Sequence, residues 1–156
     1  MAKGEGPTCI LLTRQKLEPV AQSFDPHEVW RGAYVLDGYR DGDITFIATG
    51  SELPLAVATA NLLRSEGTSA RVVSAPCLDL FDKQPAEYRD EVLGNRSRVV
   101  AIEAGRSNGW YRYVNHDALV VGIDRFGASA PAEQIADHLG FTPEKIAVRI
   151  REWKRK

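Results

Sequence analysis

The sequence predicts an α/β fold, and three observations carry that reading. Short runs of β-branched and other apolar residues alternate with segments whose apolar residues recur at helical spacing, so the hydrophobic period switches repeatedly along the chain. Two of the runs, Ile44-Thr45-Phe46-Ile47-Ala48 and Val99-Val100-Ala101-Ile102, are nearly continuous rather than alternating, as expected of central strands covered by helices on both faces. The 156 residues and 17.2 kDa suit one globular domain. A chain of that mass buries about 69% of its unfolded surface, a core that requires no disulfide or metal staple.

Strands are predicted over Thr8 to Thr13, Gly32 to Leu36, Asp43 to Thr49, Ala70 to Ala75, Arg98 to Glu103 and Ala118 to Ile123. Between the third and fourth, a helix is expected to begin at Ser51. The hydroxyl would cap an unpaired amide, Glu52 would favour the positive end, Leu53, Ala56, Ala60 and Leu63 share one face, and Gly67 stops it. A shorter helix is expected from Pro85 to Leu93. Another begins around Ser129, with Pro131 in its first turn and Ile135 and Leu139 directed at the core. Thr142-Pro143-Glu144 supplies a cap, a helix-ready proline and an acid near the dipole, and the helix that follows should bury Ile146, Ile150 and Trp153. Residues 14 to 28 mix charge and proline without helical or strand rhythm and read as a linker crossing a surface.

Composition narrows the function. Twenty Lys and Arg against 21 Asp and Glu give a net charge of −1, which provides no general attraction to nucleic acid or an anionic membrane. The N-terminus has no apolar signal core and no run is long enough to span a bilayer, so the expectation is a protein neither secreted nor membrane-spanning. Cys9 and Cys77 are the only cysteines, too far apart in sequence for a CxxC pair and too few for a cysteine zinc site; a reducing cytoplasm fits. No repeat, heptad or low-complexity tract is present.

Few residues announce chemistry. Ala48-Thr49-Gly50-Ser51-Glu52 joins a strand to a helix at the end of a sheet where ligands bind, but one glycine is not a dinucleotide fingerprint, and a tight turn with a serine cap is preferred to an anion cradle. His27, His116 and His138 lack metal-site spacing, and neither Ser51 nor Ser129 sits in a nucleophile elbow. The basic tail from Arg149 to Lys156 is explained by cations complementing a helix C-terminus. Trp110, Tyr111 and Tyr113 form an aromatic knot suited to core packing or a partner interface.

Taken in order, several motifs resemble the C-terminal part of transketolase. They are Leu12-Thr13-Arg14-Gln15, Arg31-Gly32-Ala33-Tyr34-Val35-Leu36, Ile47-Ala48-Thr49-Gly50-Ser51-Glu52, Ala70-Arg71-Val72-Val73-Ser74 and Phe81-Asp82-Lys83-Gln84. Glu103-Ala104-Gly105, Gly122-Ile123-Asp124-Arg125-Phe126-Gly127-Ala128-Ser129-Ala130-Pro131 and Gly140-Phe141-Thr142-Pro143-Glu144 follow, and together they cover nearly the whole chain. The resemblance implies a three-layer α/β/α domain with a five-stranded mixed, mostly parallel sheet and one antiparallel edge strand. It makes residues 1–28 the tail of a preceding domain and linker, and 29–156 the C-terminal domain.

The same resemblance implies an enzyme that transfers a two-carbon ketol unit between sugar phosphates with thiamine diphosphate and magnesium. The family's cofactor-binding domains and catalytic histidines do not precede residue 8, and Asp41-Gly42-Asp43 reverses the residue types of its metal motif. The expectation is therefore a chain with no catalytic, cofactor-binding or metal-binding residue of its own. It would be inactive alone and would act with the remaining transketolase domains or a partner subunit, in a homo-oligomer. The resemblance assigns one site residue, Arg14, to the sugar phosphate; a guanidinium is planar, permanently charged and suited to paired bonds with phosphate. The alternative from the residues alone is a stand-alone small-ligand or regulatory module using the crevice near Gly50 and Ser51.

Overall fold

A computed structural model describes residues 6–7, 9–20, 25–95 and 98–155. Its strands are β1 (Tyr34–Val35), β2 (Ile44–Ala48), β3 (Ala70–Ser74), β4 (Val99–Ile102) and β5 (Leu119–Val121). The helices are α1 (Pro26–Val29), α2 (Glu52–Ser65), α3 (Leu78–Asp82), α4 (Ala86–Leu93), α5 (Ala132–Leu139) and α6 (Pro143–Trp153), with a 3-10 turn over Ser107–Arg112. The strands form one sheet in the order β1-β3-β2-β4-β5. β2 runs parallel to β3 and to β4, β4 parallel to β5, and β1 lies antiparallel on the edge, with Tyr34 opposite Ser74. This is the expected five-stranded mixed sheet. The continuous apolar runs of β2 and β4 are internal strands, and every residue in both is buried.

The two faces carry different cores. Ile44, Phe46 and Ala48 of β2, with Val72, Val100, Ile102 and Val121, meet Ala56, Ala60 and Leu63 of α2 and Ile146, Ala147 and Ile150 of α6. Ile47, Val73, Val99 and Ala101 face the other way, against Phe81 of α3, Val92 and Leu93 of α4, and Trp110 and Tyr113. Period-2 alternation thus persists within runs that looked uniformly apolar, because both faces are covered. The aromatic knot is core packing at Trp110 and Tyr113, whose rings meet edge to face at 6.2 Å, whereas Tyr111 points into solvent. Polar anchors hold the layers together. Arg71 donates to the carbonyls of Arg40, Glu91 and Val92, closing the end of α4, and Tyr88 donates to Ala33.

Four sequence expectations need correction. No strand forms among the described residues of Thr8 to Thr13, Thr8 itself lying outside them; Ile10, Leu11 and Leu12 are 73%, 95% and 84% exposed. Apolar residues supply propensity, but a strand needs a partner edge, and here none is paired with this segment. Ser51 does not cap α2: its backbone is already helical and its hydroxyl donates to Glu52 Oε1 instead. The next helix starts at Ala132 rather than near Ser129, with Pro131 at the cap position, and none of its residues is fully buried. Trp153 is half-buried, its indole N–H donating to Asp117 O. By contrast Thr142 caps α6 as expected, accepting from Lys145 N. Within residues 14 to 28, read from the sequence as a linker without helical rhythm, 21–24 lie outside the description, Val20 is half-buried on the α2 and α6 layer, and 26–28 belong to the short helix α1, capped by Asp25. Among the described residues no helix is long and apolar enough to cross a membrane.

Gly32 shows how tightly β1 is joined to the rest. Its φ is +88°, and an added Cβ would lie 2.2 Å from the Cys77 carbonyl oxygen and 2.4 Å from Phe81 N. Gly38 has a similar φ of +79° but open space around it. Gly38→Ala should therefore cost about 1–2 kcal/mol, the ordinary left-handed penalty. Gly32→Ala should cost more than about 3 kcal/mol, because two backbone segments must move as well. Urea unfolding of the two variants checks the difference.

Candidate functional site

The chain leaves β2 through α2 on one face and leaves β4 through the 3-10 turn on the other. Adjacent parallel strands whose connections diverge in this way open a crevice at their carboxyl ends, the usual ligand position in such sheets. Ala48 pairs with Ile102 at the last rung, so the segments 49–52 and 103–105 flank the crevice. The backbone there is set by tight packing. Gly50 turns with φ +52°, Glu103 N donates to Val121 O, and Ile123 N donates to Gly105 O at 2.7 Å. Gly122 lies against Ser107 and the Gly105 carbonyl, where a Cβ would have 3.0–3.1 Å of room.

The crevice is acidic. Burial pushes the Glu103 carboxyl above the ordinary carboxylate range, and the neighbouring charge of Glu52 pushes it further the same way. Glu52 accepts from Ser51 Oγ at 2.8 Å. The tight turn at 48–52 is present without its serine cap. One wall along, Asp124 accepts from Ser107 N at 3.1 Å and from Ser107 Oγ at 2.6 Å, and Arg106 lies 3.6 Å away. These bonds, the Ser107 hydroxyl foremost, hold the Asp124 carboxyl below its usual range. Sequence reasoning missed both carboxylates as a pair, although Glu103-Ala104-Gly105 at the end of a buried strand was a usable signal.

The remaining expected positions are dispersed. Arg14 is exposed on a bend where Gln15 N donates to Thr13 Oγ1, away from any strand. Ser129 is exposed in the loop after β5; His27 stands on α1, His116 in the turn before β5 and His138 on α5. Among the described residues no group of three or more His, Cys, Asp or Glu could hold a metal ion. Cys9 and Cys77 are free thiols.

These features define a three-layer α/β/α domain with a crevice at a topological switch point. Residues 32–142 match the family described as the transketolase-like C-terminal domain, and the chain belongs to that family. It is 48% identical over 150 residues to a probable transketolase of Streptococcus pneumoniae, spanning 95% of this chain and 23% of that protein. A mutant of the transketolase from Pichia stipitis, solved in complex with fructose-6-phosphate, is 36% identical with a TM-score of 0.80, over 89% of this chain and 20% of that one. A split-gene transketolase solved as an inactive β4 tetramer, 20% identical with a TM-score of 0.59 over 77% of this chain and 41% of that one, shares the fold. The chain thus spans less than a quarter of the length of the curated relatives it matches.

The raised Glu103 acidity constant has a signed consequence for stability. Below the unfolded carboxylate range both states are protonated and the contribution is fully present; as pH rises from the unfolded towards the raised folded value, the unfolded state ionises while the half-buried acid of the folded state holds its proton, and stability is lost. Glu103→Gln should therefore be more stable than the parent at pH 7 and equal to it below about pH 4. Chemical denaturation across that range checks the crossover, and Glu52→Gln should give a smaller gain of the same sign.

Proposed function

We propose that this chain serves as the C-terminal domain of a transketolase, either within a longer polypeptide or as one subunit of a split enzyme. The enzyme moves a two-carbon ketol unit from a ketose phosphate to an aldose phosphate. The observation that carries the reading is the family match over residues 32–142, joined to similarity that spans nearly the whole chain and 23% of its relatives. The complex of the Pichia stipitis mutant with fructose-6-phosphate supports sugar phosphates as the substrate class. In this reading residues 1–28 are the tail of a preceding domain and linker, which accounts for the exposed Ile10, Leu11 and Leu12: their cover is another part of the enzyme. The assembly is a cytoplasmic homo-oligomer of complete enzymes.

The described residues do not fit thiamine diphosphate. A diphosphate brought to the switch-point crevice would meet the carboxyl groups of Glu52 and Glu103, and among the described residues no group of three or more His, Cys, Asp or Glu could hold its magnesium. Cofactor and metal are therefore assigned to the other domains, and this chain contributes fold, interface and Arg14. Isothermal calorimetry of the isolated chain with thiamine diphosphate, magnesium and sugar phosphates should show no tight binding. Tight cofactor binding by the chain alone would overturn the assignment and favour a stand-alone ligand-binding module.

Arg14 is proposed to contact the substrate phosphate in the assembled enzyme. It is exposed, so Arg14→Ala should leave the stability of this chain unchanged. In the assembly the loss of one charge-assisted phosphate contact, about 1.5–3 kcal/mol, should raise KM for phosphorylated sugars roughly ten- to 150-fold. Steady-state kinetics with phosphorylated and non-phosphorylated donor and acceptor pairs decides the matter, an equal loss with both arguing against the phosphate role.

A further inference from the structure

β5 is the outermost strand on its side of the sheet and is hydrogen-bonded to β4 alone. Glu103 N donates to Val121 O across that pair, so the amide and carbonyl of Val121 face β4. In a parallel strand the neighbouring residue faces the opposite way. Val120 therefore turns both its N–H and its C=O outwards, with Ala118 and Gly122 in the same register on either side. Such a row of backbone groups is a template for another strand. At the other edge of the sheet β1 is only two residues long and offers a much smaller one.

Helix α6 reaches over the β5 edge. Arg149 Nη2 donates to Val120 O at 3.2 Å. Trp153, one turn further along the same helix face, donates its indole N–H to Asp117 O at 2.5 Å, just before the strand. Arg149 is half-buried and has no carboxylate partner among the described residues. A strand added at Val120 must either displace this guanidinium or bury it without a counter-charge, and both oppose pairing.

The edge is also self-complementary. A two-fold axis at Val120 places that residue opposite itself in an antiparallel pair, each copy donating its N–H to the other's carbonyl, with Ala118 opposite Gly122 of the second copy. We propose that the outer edge of β5 is a latent pairing surface for a second copy of this chain, and that Arg149 and Trp153 keep it shut. This pairing is a property of the domain alone and is independent of the enzyme assignment above.

Sedimentation velocity and amide hydrogen exchange of the full chain, over a hundredfold range of concentration, test the guard. In the parent, exchange at Val120 and Gly122 should not change with concentration, even if association through the exposed Ile10, Leu11 and Leu12 raises the mass. Arg149→Met combined with Trp153→Phe removes both donors and keeps apolar bulk. It should dimerise, and the two amides should exchange at least tenfold more slowly at the highest concentration. Arg149→Met alone should show part of the effect, and Arg149→Lys, which retains the charge, should behave as the parent. A near-UV circular dichroism spectrum matching the parent establishes that a variant is folded; should the double variant not fold, Arg149→Met alone decides. Folded variants that stay monomeric overturn the proposal. So do dimers in which Val120 and Gly122 exchange as in the monomer, an Arg149→Lys chain that pairs as readily as Arg149→Met, or concentration-dependent protection of the two amides in the parent.

Discussion

Strand β2 is hydrogen-bonded along both edges and covered on both faces, so all five of its residues are buried and the rest of the core is arranged around it. Its parallel pairing with β3 requires a crossover, which α2 provides, and its pairing with β4 requires the chain to return past it through α3 and α4. The two cores follow from that arrangement. Phe46 looks towards α2 and α6 while Ile47, next in sequence, looks towards Phe81 and the aromatic turn. A polar residue on either face of this strand would lose its hydration with no partner at hand; Thr45, at its outer end, is the tolerated exception.

The same arrangement decides where polar chemistry collects. Helices occupy both faces, so the internal strands β2 and β4 are buried throughout and the polar groups described here stand at the ends of the sheet. At the amino end, arginines are consumed by structure: Arg64 lies over Tyr39 and donates to Gly38 and Ala70, and Arg71 closes α4. At the carboxyl end stand Glu52 and Glu103 at the switch point, with Asp124 held by Ser107 beside Arg106.

Local chemistry was legible wherever one residue type has one physical solution. Thr142-Pro143-Glu144 produced the capped start of α6, and the continuous runs at 44–48 and 99–102 produced internal strands. It misled where a residue had two solutions: the Ser51 hydroxyl binds Glu52 rather than a helix amide, and Cys9 to Leu12 has strand propensity without a strand to pair with. The short helices α1 and α3 carried too few residues to set up a periodic signal.

By itself, then, the sequence determined the α/β class, the internal strands, most helix positions and the family resemblance, because periodicity and motif order are properties of neighbouring residues. Strand order, which strand forms the antiparallel edge, and the facing of Glu52 and Glu103 were decided by the tertiary structure, since each brings together segments separated in the chain, Tyr34 with Ser74 on the edge and Glu52 with Glu103 at the end of the sheet. The burial of Trp110 and Tyr113 alongside the exposure of Phe126 was settled the same way. An aromatic residue is equally apolar in either place, and only the packing around it determines whether it fills a core or faces outwards.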